Sequence, residues 1–311
     1  MAGNGRRVGI IGAGRLGSAL AMGLAHAGFT IAAVASRTEA SASRLAGLCG
    51  AACAGPAAVV AQSDIIFLTV PDRAIAPVAE TLAAAFAGGE GLVGRCVYHT
   101  CGALDAAVLE PLKHWGAAVG SLHPLQSFVD RDSWRNLENC YVAVEGDEPA
   151  VKCGLEVAQA FGGRPFTVPS GKKMLYHAAA AIASNYLVAV ETLARDVMMA
   201  AGVAPEQALE VLRPLVEGTL RNAFTVGVPR ALTGPISRGD VAIVDAHRDE
   251  LLRAMPQKLG VWGALGELTL ECAQRNGTVA DDVVAKMRAV FAGCRATPAA
   301  GRTPGKGGDA A

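Results

Sequence analysis

The pattern of hydrophobic and polar positions changes texture near Gly171. Upstream, short apolar runs alternate with stretches of helical period. Residues 8–11, 30–35, 64–70, 95–100, 117–122, 141–145 and 165–168 read as strands. The run DIIFLTV over 64–70 is apolar without alternation, which marks a strand covered on both faces. Residues 38–48, 73–86 and 149–161 read as helices, and Leu16, Leu20 and Leu24 recur every fourth residue as one helix face. Alternation of this kind predicts an α/β fold built on a parallel, doubly wound sheet. Downstream the pattern is helical throughout, over 172–201, 205–224, 240–253, 257–276 and 279–291. Gly202, Gly227 and Gly239 punctuate these helices. The reading is therefore a sheet domain over 1–169, an all-α domain over 170–295 and a disordered Gly-, Pro- and Lys-rich tail over 296–311.

The first strand runs into Gly12-Ala13-Gly14-Arg15-Leu16-Gly17, and a helix follows at once. Glycines at this spacing are common by chance; the strand before and the helix after give them a physical meaning. Gly12 permits a tight turn, Gly14 lets a pyrophosphate approach the backbone, and Gly17 allows close helix–strand packing. The helix start offers unpaired N–H groups and a positive dipole end to phosphate. The sheet domain is thus expected to be a Rossmann dinucleotide-binding domain. Its second strand ends at Ala35-Ser36-Arg37, about 20 residues past the glycines, where NAD-selective sites place an acid for the ribose 2′-hydroxyl. Ser36 and Arg37 stand there instead. An arginine binds a 2′-phosphate and stacks on adenine, so the expected cofactor is NADP, as NADPH.

Composition narrows the partners. The chain of 311 residues is 51% hydrophobic and 18% charged, suited to a large core and an extensive subunit interface. Its formal net charge is zero and it has no basic run, which argues against nucleic acid or an anionic membrane. The eight cysteines include no C-x-x-C pair, so no metal site is indicated, and scattered thiols fit a cytoplasmic protein. The most membrane-like stretch, 174–190, contains His177 and Asn185 and falls short of about 20 clean apolar residues.

Ligands of open parallel sheets bind at the carboxyl ends of the strands. Val70 and Pro71 are expected to pass the cofactor with their backbone, and His99 and Thr100 to lie on its nicotinamide side. His123 follows another strand end and is restricted by Pro124. Each histidine has a bland alternative as a structural hydrogen-bonder. On the next helix, Lys173, His177, Ala180 and Ser184 fall on one stripe within about 40° of one another, with Asn185 on its flank. That stripe describes a polar mouth over a tightly packed base. Lys173 can hold a substrate carboxylate or donate a proton to a carbonyl, and His177 can orient it or act as the general acid. The alternative is a solvated first turn. Arg238 either binds an anionic substrate group or pairs with Asp240, the expected N-cap of the next helix.

The segments IGAGRLGSAL, ASR, TVPD, HTCGAL, SLHPLQSF, GKKMLYHAAAAIASNYL and ALTGPISRGD together resemble a bacterial family of Rossmann-like NADP oxidoreductases with a C-terminal helical domain of unknown function. The resemblance covers nearly the whole chain except the tail. That family is similar to ketopantoate reductase, pyrroline-5-carboxylate reductase and the β-hydroxyacid dehydrogenases. In ketopantoate reductase and the β-hydroxyacid enzymes, a lysine on the first helix of the second domain is followed four residues later by asparagine. Lys173 matches the lysine, but His177 stands in place of the asparagine. The resemblance implies a small-molecule substrate, a homodimer formed through the helical domain, and NADPH-dependent reduction of a small anionic keto or imino compound. A ketopantoate-like 2-keto acid is one candidate. In that reading His123, Lys173, His177 and Asn185 carry the chemistry, and Ser184 and Arg238 hold substrate. A non-catalytic NADP-binding sensor is the alternative.

Overall fold

The computed structural model describes residues 5–87, 91–129 and 132–296; the expected tail falls outside them, apart from its first residue. Eight strands form one sheet in the order β3-β2-β1-β4-β5-β6-β7-β8. The strands are β1 (Arg7–Ile11), β2 (Thr30–Ala35), β3 (Ala52–Cys53), β4 (Ile65–Leu68), β5 (Cys96–His99), β6 (Ala118–Pro124), β7 (Tyr141–Gly146) and β8 (Arg164–Thr167). The helices among them are α1 (Arg15–His26), α2 (Glu39–Cys49), α3 (Pro56–Ala61), α4 (Asp72–Ala85), α5 (Glu110–Lys113) and α6 (Glu148–Ala160). β3 and α3 carry no expectation from the sequence, because two and six residues hold too little of either period.

The apolar run of β4 resolves into two sets. Ile65 and Phe67 join the layer under α1, α2 and α6, while Ile66 and Leu68 join the layer under α3, α4 and α5. A strand that serves two cores has no polar face, which is why its sequence does not alternate.

One feature of the expected sheet is corrected. β7 runs antiparallel to β6, pairing His123 with Ala143 and Leu122 with Val144, and β8 then runs parallel to β7. A parallel neighbour needs a crossover across the sheet. The link between β6 and β7 instead lays a short 3-10 turn, Asp132–Leu137, on α1, where the Leu137 side chain sits over Gly23. β6 also extends to Pro124, so His123 lies within a strand rather than after one.

The chain divides into two compact units between Ser184 and Asn185, not between Pro169 and Ser170 as the sequence suggests. α7 (Lys173–Ala181) stays with the sheet because the Lys173 side chain is anchored in it. Nor is 172–201 one helix. A π-helical turn, Ile182–Tyr186, separates α7 from α8 (Leu187–Ala200).

The second unit continues with α9 (Pro205–Val226), α10 (Pro235–Arg238), α11 (Val241–Ala254), α12 (Leu259–Arg275) and α13 (Asp281–Ala292). Its core gathers Val244, Leu270, Val284, Met287, Val290 and Phe291. Gly266 lets the Phe291 ring lie against α12, since a Cβ there would come within 2.3 Å of the ring. α8 buries no residue and α9 buries only Ala208. Among the described residues, no helix is long and apolar enough to cross a membrane.

Candidate active site

The glycine loop has the geometry its sequence requires. Gly12 adopts φ +119°, and a Cβ on it would lie 2.5 Å from the Thr69 carbonyl oxygen. Thr69 closes the loop from β4, its hydroxyl donating to the Gly12 carbonyl at 2.6 Å. A Cβ on Gly17 would meet the Gly12 carbonyl at 2.0 Å, so α1 starts as close to the loop as the backbone allows. Gly14, in contrast, has nothing within 4 Å of its Cβ position. That free space stands before the N–H groups of the first turn of α1, among them those of Arg15 and Leu16, with no side-chain cap competing for them.

Beside this opening, the Ala13 N–H reaches the Ser36 hydroxyl at 3.4 Å. Arg37 is exposed and has no ion pair among the described residues. Open backbone at Gly14 and an uncommitted guanidinium at the end of β2 fit a dinucleotide with a 2′-phosphate. Pro71 is exposed at the start of α4, and Val70 is half-buried beside it.

A polar cluster lies beyond the end of β5 and along the second half of β6. Lys173 is 1% exposed, and its ammonium donates to the Ser121 hydroxyl at 2.5 Å and to the Cys101 carbonyl at 3.1 Å. The expected polar mouth is therefore corrected: Lys173 belongs to the base, and only His177 of that pair is exposed. Side chains on a helix lean toward its N-terminus, which carries the lysine down onto the strand ends. Burial lowers the Lys173 pKa, opposed by the negative fields of Glu145, Cys101 and Asp105. Glu145 is itself raised by burial, and its Oε2 accepts from the Ala106 N–H at 2.8 Å.

His99 is fully buried. Its Nδ1 accepts from the Cys101 N–H at 3.2 Å, which leaves the proton on Nε2, 3.3 Å from the Asp105 carbonyl. Both ring nitrogens thus serve the chain, and the residue holds the loop after β5 in shape. Burial, and then the Lys173 charge, depress its pKa to about 4. Thr100 is buried next to it.

His123 has a different environment. Its Nδ1 lies 2.8 Å from the Tyr176 hydroxyl, with the rings at 86°. The other edge of its ring faces Gly102, and so does the ring of His177: a Cβ on Gly102 would lie 2.9 Å from each. Only glycine lets the two imidazoles converge there. Burial brings His123 down to about 4, and Tyr176 up to about 12. At neutral pH the pair is a neutral imidazole against a protonated phenol.

Ser184 and Asn185 are both exposed on the π-helical turn, one on either side of the division between the units. The 3.6-residue stripe that aligned Ser184 with Lys173 does not continue through a wider turn. Arg238 pairs with Asp240 at 3.0 Å, the second of its two expected readings, and this carboxylate makes no cap bond to α11. Sequence reasoning passed over Tyr176 and Glu145 and gave no role to Ser121 or Gly102. Tyr176 carried a signal, since it lies three residues from Lys173 on one helix face. Glu145 carried a weaker one, a lone acid at the end of an apolar strand.

Residues 3–124 match the Rossmann-like domain family, and residues 140–269 match DUF2520, a domain of unknown function. The chain joins a Rossmann-like domain to DUF2520. The DUF2520 match begins before β7, so that domain supplies Glu145, Lys173, Tyr176 and His177 to the cluster, while the Rossmann-like domain supplies Cys101, Gly102, Ser121 and His123. Among solved structures, protein TM1727 from Thermotoga maritima is similar at 26% identity, with a TM-score of 0.64 over 93% of this chain and 99% of that one. BF3122 from Bacteroides fragilis, named as a candidate NADP oxidoreductase, is similar at 23% identity, with a TM-score of 0.68 over 86% and 98%. A 1-pyrroline-5-carboxylate reductase from Streptococcus pyogenes shares the fold at 17% identity, with a TM-score of 0.58 over 92% and 99%. No curated protein matches the chain.

Proposed function

We propose that this protein is an NADPH-dependent oxidoreductase that reduces the C=O or C=N carbon of a small anionic compound. The observation that carries the reading is the convergence of His123 and His177 on Gly102, with Tyr176 behind His123. The similarity to structures named as an NADP oxidoreductase and as 1-pyrroline-5-carboxylate reductase supports it. NADPH would bind along the Gly12–Gly17 loop, with its 2′-phosphate on Ser36 and Arg37 and its ribose and nicotinamide beside Val70, Pro71 and Thr100. When bound it supplies a hydride.

The chain's own residues then manage the proton and the charge. The Tyr176 hydroxyl and the His123 imidazole share a hydrogen bond and present a neutral N–H or O–H to the substrate heteroatom. Neither is a strong acid, but each is more acidic than the alcohol or amine that forms when the alkoxide or amide anion left by hydride addition takes its proton. Lys173 acts from beneath: its cation polarises the Cys101–Gly102 backbone and favours negative charge above it. His177, at the exposed rim, faces the same space and orients substrate. Ketopantoate-like 2-keto acids and cyclic imino acids are the substrate classes to test.

We further infer a homodimer through the second unit and a cytoplasmic location. Exposed Leu209, Val211, Leu215, Leu220, Phe224 and Val226 leave α9 apolar on two sides, which suits cover by a second copy. The eight free thiols suit a reducing compartment.

One observation favours the alternative of a non-catalytic NADP sensor: Lys173 already donates to two groups of the chain. The two readings separate in one experiment. Purified protein is titrated with NADPH and NADH, then given NADPH with a panel of 2-keto acids and cyclic imino acids while nicotinamide absorbance is followed. Selective NADPH binding with oxidation by at least one member, lost in His123→Phe, upholds the reductase. Selective binding with no oxidation by any member upholds the sensor, and absence of NADPH binding overturns both.

A further inference from the structure

The amino ends of the strands, opposite the glycine loop, hold a second cluster that the proposed reaction does not use. Arg6, Asp64, Cys96, Lys152, Cys153 and Glu156 are among the residues lining a pocket of about 320 Å³. Cys153 lies on the inner face of α6 with Ala150, Gly154 and Val157, and Cys96 opens β5. Arg6, just before β1, spans the pocket: its Nη1 donates to the Cys153 sulfur at 3.3 Å, and its Nη2 to the Glu156 carboxylate at 2.9 Å. Lys152 adds a second cation to the lining.

These surroundings separate Cys153 from Cys49, Cys101, Cys140 and Cys294. Burial pushes Cys49, Cys101 and Cys294 up, and Cys140 to about 11. At Cys153 the same burial is outweighed. A hydrogen bond from the Cys96 thiol is the largest cause, with Tyr98 and the Arg6 charge also contributing against the Glu156 carboxylate, and together they hold the thiol below its ordinary range. A thiolate beside a guanidinium, in a pocket open to small molecules, is the environment in which cysteine becomes a nucleophile.

We propose that Cys153, beside the Arg6 guanidinium and Cys96 in this pocket, is a peroxide-oxidisable site whose ligand is a small hydroperoxide. The thiolate sulfur attacks one oxygen of hydrogen peroxide and forms an S–O bond as the O–O bond breaks. Hydroxide leaves and takes a proton to become water. Sulfur is oxidised by two electrons to the sulfenic acid, and the peroxide is reduced by the same two. Cys153 is only 7% exposed, so access through the pocket selects for small oxidants over bulky ones.

The test uses the full chain and does not depend on the reductase reading. Reduced protein is treated with hydrogen peroxide and dimedone between about pH 5 and about pH 9, and adducts are quantified peptide by peptide. Labelling should concentrate on Cys153 with a midpoint well below the ~8.5 of an ordinary thiol. Arg6→Met and Cys96→Ala should each raise the midpoint by about one unit, and Arg6→Lys should restore it. Near-UV circular dichroism checks that each variant keeps its packing; a variant that loses it is replaced by Arg6→Gln or Cys96→Val. Labelling spread evenly over the cysteines, a midpoint near an ordinary ~8.5, or midpoints that ignore both changes would overturn the proposal.

Discussion

The sheet unit and the helices α8 and α9 treat their side chains in opposite ways. The sheet closes over its own polar groups. Lys173, His99, Ser121 and Glu145 are all buried there, and each has partners within the unit. Helices α8 and α9 leave apolar groups open, from Val188 to the Phe224 ring, which is 89% exposed. A buried charge is tolerable when hydrogen bonds and opposing fields offset its desolvation. An exposed apolar face has no such compensation within one chain. Those four polar groups are satisfied within a single copy, whereas the apolar faces of α8 and α9 become covered in the proposed dimer.

The largest expected effect tests the open region. Leu215→Asp with Phe224→Asp should raise the dimer dissociation constant by about a hundredfold or more, because each buried side chain is worth about 1.5–3 kcal/mol and a two-fold interface counts every change twice. Sedimentation velocity reads this directly. A variant that stays dimeric at micromolar concentration removes α9 from the interface.

Acid tests the closed region next. His99 and His123 have folded pKa values of about 4, below the ~6.5 of an unfolded histidine. Below pH ~6.5 the unfolded chain therefore binds protons that the folded one refuses, and stability falls with pH until both forms are protonated near pH 4. Each histidine accounts for about 3 kcal/mol across that window. His99→Gln should flatten the urea-midpoint profile between those limits; an unchanged slope would show that the ring is not held neutral.

Lys173→Met is expected to lower turnover about a hundredfold while leaving NADPH affinity within about threefold. Because it strips the buried Ser121 hydroxyl and Cys101 carbonyl of their donor and leaves Glu145 without its opposing charge, the melting temperature should fall. A variant with wild-type turnover would take Lys173 out of the reaction. The smallest effect belongs to the nucleotide loop. Arg37→Ala should weaken NADPH about tenfold and leave NADH unchanged, the loss of one charge-assisted contact of about 1.4 kcal/mol.

The sequence alone determined the features that repeat over a few residues. The glycine spacing, the two-sided apolar run of β4 and the helical period after Gly171 are local, and the structure follows them. Arg37 at the end of β2 was equally legible, since its position is fixed by counting from the glycines. Contacts between distant segments were not legible. No local pattern says that β7 returns antiparallel, because that depends on where the link after β6 lies on α1. Nor does any period show that Lys173 sits under Cys101 and Ser121 while His177, one turn on, stays exposed. The stripe from Lys173 to Ser184 assumed an unbroken helix, and one π turn ended it. Local steric and hydrogen-bonding preferences act over a turn or a strand, so they are written in the sequence. The active-site candidate gathers Gly102, His123 and Tyr176 from three separate segments, and only packing of the whole sheet unit brings those three together.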